Sequence, residues 1–266
     1  MPHVDSWERR RKVGECILKI VAKTDTGLVR TSNQDSYAAG ELPGSVAWAV
    51  VCDGMGGAAG GNQASSIAVK LISERISSSY RKGMSGTSIK NILVSAIIAA
   101  NISIYEIGQA DVELTGMGTT VVVAIIADNS VYIAHVGDSR AYILSDGKLN
   151  QLTKDHSFVQ EMVDIGRLTP DEAKNDPRKN LITRALGVDE DVNIDFCQEY
   201  ISEDEVLILC TDGLTNYVEP SEIYELTNDN KFYEYSERLV NRANKNGGGD
   251  NITVVTMSYW LLQKGV

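Results

Sequence analysis

Val46-Ala47-Trp48-Ala49-Val50-Val51-Cys52-Asp53-Gly54-Met55-Gly56-Gly57 is an apolar run that ends on a carboxylate and a glycine-rich turn. Residues 46–52 are short, apolar and rich in β-branched side chains, so they read as a buried strand. Runs of the same kind recur at 16–22, 119–127, 131–136, 141–144, 206–210 and 252–259. Between them, apolar residues fall at helical spacing: Ile67, Ala68, Leu71, Ile72 and Ile76 in 64–80, then Ile92, Leu93, Ala96, Ala100 and Ile104 in 89–107. Residues 129–152 form a meander whose turns are Asp128-Asn129-Ser130 and Ser145-Asp146-Gly147. Tight turns join antiparallel neighbours, which excludes a sheet of parallel βαβ units here and makes the class α+β.

From Lys154 to Leu181 the apolar density falls, with a helical piece at 158–165 and another begun by Thr169-Pro170-Asp171-Glu172. This is expected to be a surface flap over the core. A last helix at 233–245 precedes Gly247-Gly248-Gly249 and the final strand. Without repeats or low-complexity linkers, the chain is expected to be one domain at 15–262 behind an extension at 1–14. Arg9, Arg10, Arg11 and Lys12 in that extension read as a solvated tail.

The 266 residues carry 25 Lys+Arg against 36 Asp+Glu, a net charge of −11, which argues against nucleic-acid and anionic-membrane partners. A hydrophobic content of 43% with 23% charged residues excludes wholesale disorder. No apolar run is expected to approach the roughly 18 residues that span a bilayer, and no apolar signal region follows Met1, so the expected location is cytoplasmic. Cys16, Cys52, Cys197 and Cys210 stand singly among apolar neighbours, the pattern of buried free thiols.

The placement of aspartates is more informative. Asp53 follows residues 46–52, Asp212 follows 206–211, Asp138 ends 131–136 inside Gly137-Asp138-Ser139-Arg140, and Asp250 lies between three glycines and the last strand. Asp146-Gly147 is an ordinary hairpin turn, but no paired strand follows Asp53 or Asp212 within a few residues. Carboxylates converging at one sheet edge repel each other unless a cation lies between them. Oxygen ligands select Mg²⁺ or Mn²⁺ over zinc, and Gly54 lets an ion approach its carbonyl. Two such ions roughly 3.5–4 Å apart would activate water for attack on phosphorus. Arg30, in the polar stretch after the first strand, is the candidate cation for a phosphate.

Asp25-Thr26-Gly27 with Arg30 to Asp35, Val51 to Gly57, Gly116-Met117-Gly118-Thr119-Thr120, Gly137-Asp138-Ser139-Arg140, Thr211-Asp212-Gly213-Leu214 and Gly249-Asp250-Asn251-Ile252-Thr253 occur in one order. That order resembles the metal-dependent PP2C-type serine/threonine phosphatases, most of all their bacterial branch, over nearly the whole chain. The resemblance implies a four-layer α-β-β-α sandwich, two antiparallel sheets flanked by helix pairs. It also implies hydrolysis of phosphoserine and phosphothreonine in proteins, opposing a Ser/Thr kinase, by a chain expected to be a monomer. Asp53 would bridge two Mn²⁺ or Mg²⁺ ions, with the Gly54 carbonyl on one and Asp212 and Asp250 on the other. Asp138 would help Asp212 hold a weaker third ion, Arg30 would bind phosphate, and Asp35 would orient the metal-bound water.

Some positions depart from the family pattern. Met55 and Ala58 stand where relatives carry a histidine, so no local general acid is evident, and Asn216 replaces a further acidic ligand of some members. His156 reads as a surface histidine at the start of the flap, able to approach substrate. The alternative is a regulatory phosphoprotein-binding module with the same fold and little turnover, against which intact Asp53, Asp212 and Asp250 argue.

Overall fold

The computed structural model describes residues 16–261; the extension at 1–14 and the Cys16 side chain lie outside the described residues. Strand β3 (Val46–Met55) shows how the layers arise. Its side chains alternate: Val46, Trp48, Val50 and Cys52 enter one apolar core and Ala47, Ala49 and Val51 another. The first core lies against helices α1 (Gly57–Ser79) and α2 (Gly86–Ala110). The second is shared with residues of the opposite sheet such as Ala141, Leu207 and Val255, where the small Ala47 and Ala49 admit a close approach.

One sheet has the order β2 (Asp35–Leu42), β3, β5 (Val121–Ala127), β6 (Ser130–Val136), β9 (Asp195–Tyr200), with the short β4 (Gly118–Thr119) on the end of β3. The other runs β1 (Cys16–Asp25), β11 (Ile252–Leu261), β10 (Val206–Cys210), β7 (Arg140–Ser145), β8 (Lys148–Gln151). Every strand pairing among these is antiparallel. A third core sets β10 and β11 against α7 (Tyr235–Lys245) and α6 (Pro220–Thr227) through Ile208, Val254, Leu239, Val240 and Ile223. Helices, sheet, sheet and helices make the four layers expected.

The turns explain the meander. Asp128 and Asn129 have φ of 49° and 62°, and Asp146 and Gly147 49° and 70°. Both pairs are two-residue loops, with Ala127 opposite Ser130 and Ser145 opposite Lys148. Positive φ at both central positions matches the right-handed twist of the strands they join. The flap at 154–181 contains α3 (Phe158–Asp164) and α4 (Pro170–Asn175), the latter started by a capping box between Thr169 and Glu172.

Several boundaries differ from the sequence reading. β3 continues to Met55, so Asp53 lies inside the strand rather than after it, opposite Asp35 of β2. β2 and β9 carry mixed polar sequences on sheet edges, where one flank faces solvent and the apolar signal fades. α1 begins at Gly57 rather than 64. Its opening glycines have poor helix propensity, and packing against β3 overrides it: a Cβ on Gly61 would stand 2.8 Å from the Gly54 carbonyl. α2 corrects the expectation that no apolar run reaches membrane length, since its mean hydropathy is 1.5 over an 18-residue window. Its apolar face is used inside the protein, with Ile89, Leu93, Ala96, Ile97, Ala100 and Ile104 buried.

Candidate metal centre

The candidate residues come from strand ends that meet at one edge of the sandwich. Asp53 is near the end of β3, and Gly137-Asp138 follows β6. Asp212 opens the short α5 (Asp212–Thr215) directly after β10 and Thr211, while Asp250 and Asn251 precede β11. Arg30 lies on the loop between β1 and β2. Together Arg30, Asp53, Gly54, Asp138, Asp212 and Asp250 line one cavity of about 450 Å³. Asp35 is not on its wall; it is buried behind Asp53, its partner across the ladder.

Hydrogen bonds fix each of these groups. The Asp53 amide donates to Thr120 Oγ1 (3.0 Å), and its carbonyl accepts from the Thr120 amide and Thr119 Oγ1 (both 2.9 Å). Thr120 Oγ1 in turn meets Ser139 Oγ at 2.7 Å, joining the Asp53 and Asp138 segments. Asn251 holds the Arg30 loop, accepting from the Gln34 amide (2.8 Å) and donating to the Thr26 and Ser32 carbonyls (2.9 Å each). Gly27, with φ of 79°, passes so near Asp250 that a Cβ would fall 2.1 Å from its carbonyl oxygen, so no side chain fits there. Arg30 Nη2 donates to Asp250 Oδ2 (2.9 Å), and Asn216 Nδ2 donates to Asp212 Oδ2 (2.9 Å).

The electrostatics favour a hard cation. Asp35 Oδ2 accepts from Thr211 Oγ1 (2.9 Å) and Thr253 Oγ1 (2.7 Å), but its Oδ1 is buried without a partner. Asp212 Oδ1 is likewise orphaned. Burial first, and neighbouring carboxylates in addition, push Asp35 up to about 7 and Asp138 up to about 8, and raise Asp53 and Asp212. Asp53 and Asp212 also lie within hydrogen-bonding reach of each other. Orphaned carboxylate oxygens in a repelling cluster, with no thiol or imidazole among the described residues of the cavity wall, fit Mg²⁺ or Mn²⁺. Gly54 is packed against Gly61, where its own Cβ would meet the Gly61 carbonyl at 2.1 Å.

His156 differs from both readings made of it. It is 5% exposed, does not line the cavity, and packs under the flap with its ring stacked on His135 at 4.7 Å. His135, His156 and Asp195 bring three ligand atoms within 4.8 Å of one another, yet Arg184 Nη1 stands 3.0 Å from Asp195 Oδ1 and 3.2 Å from His156 Nε2. The guanidinium charge already stands against two of these three groups and disfavours a cation beside them. Cys52 and Cys210 are buried and Cys197 is half-buried, and burial raises all three thiols, so none is a nucleophile. The sequence reading assigned no role to Thr120, Ser139, Thr211, Asn251 or Thr253, although all five stand inside the quoted motifs. It also missed Asn180 of the flap and Ile182 just after it, which stand on the cavity wall and carry no motif signal.

Residues 29–261 match the family model described as Protein phosphatase 2C. The "Serine/threonine phosphatase stp" of Listeria innocua is 38% identical over 244 residues, covering 91% of this chain and 96% of that protein. The solved S. agalactiae serine/threonine phosphatase superposes with a TM-score of 0.85 at 34% identity, over 91% of this chain and 99% of that one. The catalytic domain of the phosphatase PstP, solved with two manganese ions, gives a TM-score of 0.80 at 34% identity, over 92% of this chain and all of that one.

Proposed function

The chain belongs to the protein phosphatase 2C family, and from that premise we propose that its cavity hydrolyses phosphoserine and phosphothreonine in proteins with divalent ions held at the sheet edge. The observation that carries this reading is four aspartates on the wall of one cavity where, among the described residues, Arg30 is the basic side chain. Asp53, the Gly54 carbonyl, Asp212 and Asp250 would hold two Mn²⁺ or Mg²⁺ ions, the number named for PstP. Asp138 with Asp212 would hold a third, weaker one. Bound there, such ions would neutralise the carboxylates and supply the Lewis acidity that activates water for phosphate-ester hydrolysis.

The chain's own residues do the rest. The Arg30 guanidinium, half exposed and tied to Asp250 by a single nitrogen, is free to turn its remaining donors to a phosphate dianion. Asn216 fixes Asp212 Oδ2 and leaves Oδ1 for a cation, while Thr211 and Thr253 hold Asp35 Oδ2 behind the cavity wall. Met55 has no proton to give, so this position supplies no general acid. Substrates would be phosphoproteins made by a Ser/Thr kinase, and the enzyme would act in the cytoplasm as a monomer. Mn²⁺-dependent hydrolysis of a phosphothreonine peptide, abolished in Asp53→Ala, is the expected result. Folded, Mn²⁺-loaded wild-type protein without turnover would overturn this reading.

A further inference from the structure

The base of the flap is stitched to the turn that carries Asp138. The His156 amide donates to the Gly137 carbonyl (3.0 Å), and the Gly137 amide donates back to His156 Nδ1 (3.1 Å). The His156 carbonyl accepts from the Thr183 amide (2.8 Å), which brings the far end of the flap to the same residue. Beside it, His135 Nε2 meets the Lys154 carbonyl at 2.9 Å, and Arg140 forks onto Asp155 at 2.8 and 2.6 Å. Gly137 itself has φ of 106° and lies against Thr120, where a Cβ would meet the Thr120 side chain at 2.7 Å. A glycine in that conformation has no side chain to hold the turn, so its two backbone groups determine where Asp138 points.

We propose that His156 is a positioning residue of the phosphatase site: through the Gly137 amide its imidazole holds Asp138 in place and couples that carboxylate to both ends of the flap. The bond pattern assigns the tautomer. Nδ1 accepts from Gly137, so in the neutral ring Nε2 carries the proton; it is directed to Asp195 Oδ2 at 3.3 Å, and the Arg184 Nη1 that stands 3.2 Å from Nε2 donates to Asp195 Oδ1 instead. Burial and the neighbouring His135 hold the ring below its ordinary value, which keeps it neutral and Nδ1 free to accept. A protonated Nδ1 would confront the Gly137 N–H and open the clasp. The two ring nitrogens therefore do separable jobs, one toward Asp138 and one toward Asp195 and Arg184.

This inference rests on the proposed phosphatase reading for its consequence, while the clasp itself is testable without turnover. Asparagine places its Oδ1 at the same remove from Cβ as Nδ1 and keeps the acceptor for Gly137, whereas glutamine reaches only as far as Nε2. In the full chain, His156→Asn should keep wild-type Gly137 amide exchange and Mn²⁺ affinity. His156→Gln should speed that exchange and weaken Mn²⁺ binding, read by the paramagnetic resonance of free ion, each on the order of tenfold. In an Asp138→Asn background the same Gln replacement should leave Mn²⁺ affinity unchanged. Equal behaviour of the Asn and Gln variants, or a further loss in that background, sinks the proposal. Should His156→Gln not fold, the ¹⁵N imidazole spectrum of the wild type decides: the neutral Nε2–H tautomer supports it and any other form contradicts it. Wild-type protein that fails to turn over phosphopeptide yet shows that tautomer and a protected Gly137 amide removes the phosphatase reading alone.

Discussion

Asp35 shows how little of a site residue's role lies in its identity. Its carboxylate is buried, satisfied on one oxygen by two threonines and orphaned on the other. Replacing Thr253 by valine keeps the shape but removes a donor from a buried charge, and should cost about 1–3 kcal/mol in urea denaturation of the metal-free protein. The raised carboxylates also predict a pH dependence. Asp35 at about 7 and Asp138 at about 8 bind protons in the folded state that the unfolded chain, near 3.9, has already released. Their contribution is therefore complete below about pH 4 and is lost as pH rises through 7 to 8. With EDTA present, the melting temperature should fall between about pH 5.5 and pH 8.5, and the stabilisation by Mn²⁺ should grow over the same range. A flat profile in EDTA would show that the carboxylates do not repel one another as the burial implies. The four candidate aspartates Asp53, Asp138, Asp212 and Asp250 were legible in the sequence because each stands close to the end or the start of an apolar run. His156 was not, since nothing in Lys154-Asp155-His156-Ser157 tells whether the imidazole faces water or Gly137.

Among the elements, the long helix α2 buries an apolar face that carries one buried polar exception. Asn101 donates to the carbonyls of Asp189 and Glu190 (3.0 and 2.8 Å) and accepts from the Gly187 amide (2.8 Å), tying the loop after the flap to the helix. Asn101→Ala would leave those three groups unpaired together and is expected to destabilise by about 2–4 kcal/mol in chemical denaturation, more than a surface Asn→Ala. The β3–α1 junction fails differently. Gly54→Ala would drive a methyl into the Gly61 and Gln34 carbonyls, which stand 2.1 and 2.7 Å from its Cβ. It should cost about 1–3 kcal/mol by overpacking and weaken Mn²⁺ binding, measured by calorimetric titration. The central strands and long helices were readable because burial imposes its periodicity on every residue. The edge strands β2 and β9 and the glycine-rich start of α1 were not, because solvent on one flank or a close backbone approach replaces that pattern.

Over the whole molecule, the net charge of −11 sets a condition on phosphate binding. Four carboxylates on the cavity wall repel a dianion, and Arg30 is held by one of them, so inorganic phosphate should bind only in the presence of Mn²⁺ or Mg²⁺. Calorimetry that detects comparable phosphate binding in EDTA would contradict the assignment. The order of strands and helices, the antiparallel class and the presence of carboxylates at strand ends were determined by the sequence alone, because hydrophobic periodicity and turn chemistry act over a few neighbouring residues. Which sheet each strand joined, the convergence of Asp53, Asp138, Asp212 and Asp250 on one cavity, and the withdrawal of Asp35 and His156 from its wall were decided only by the tertiary structure. The physical reason is separation: Asp35 meets Thr253, and Arg30 meets Asp250, across more than two hundred residues of chain, and local propensity carries no information about which distant strand end will be the neighbour.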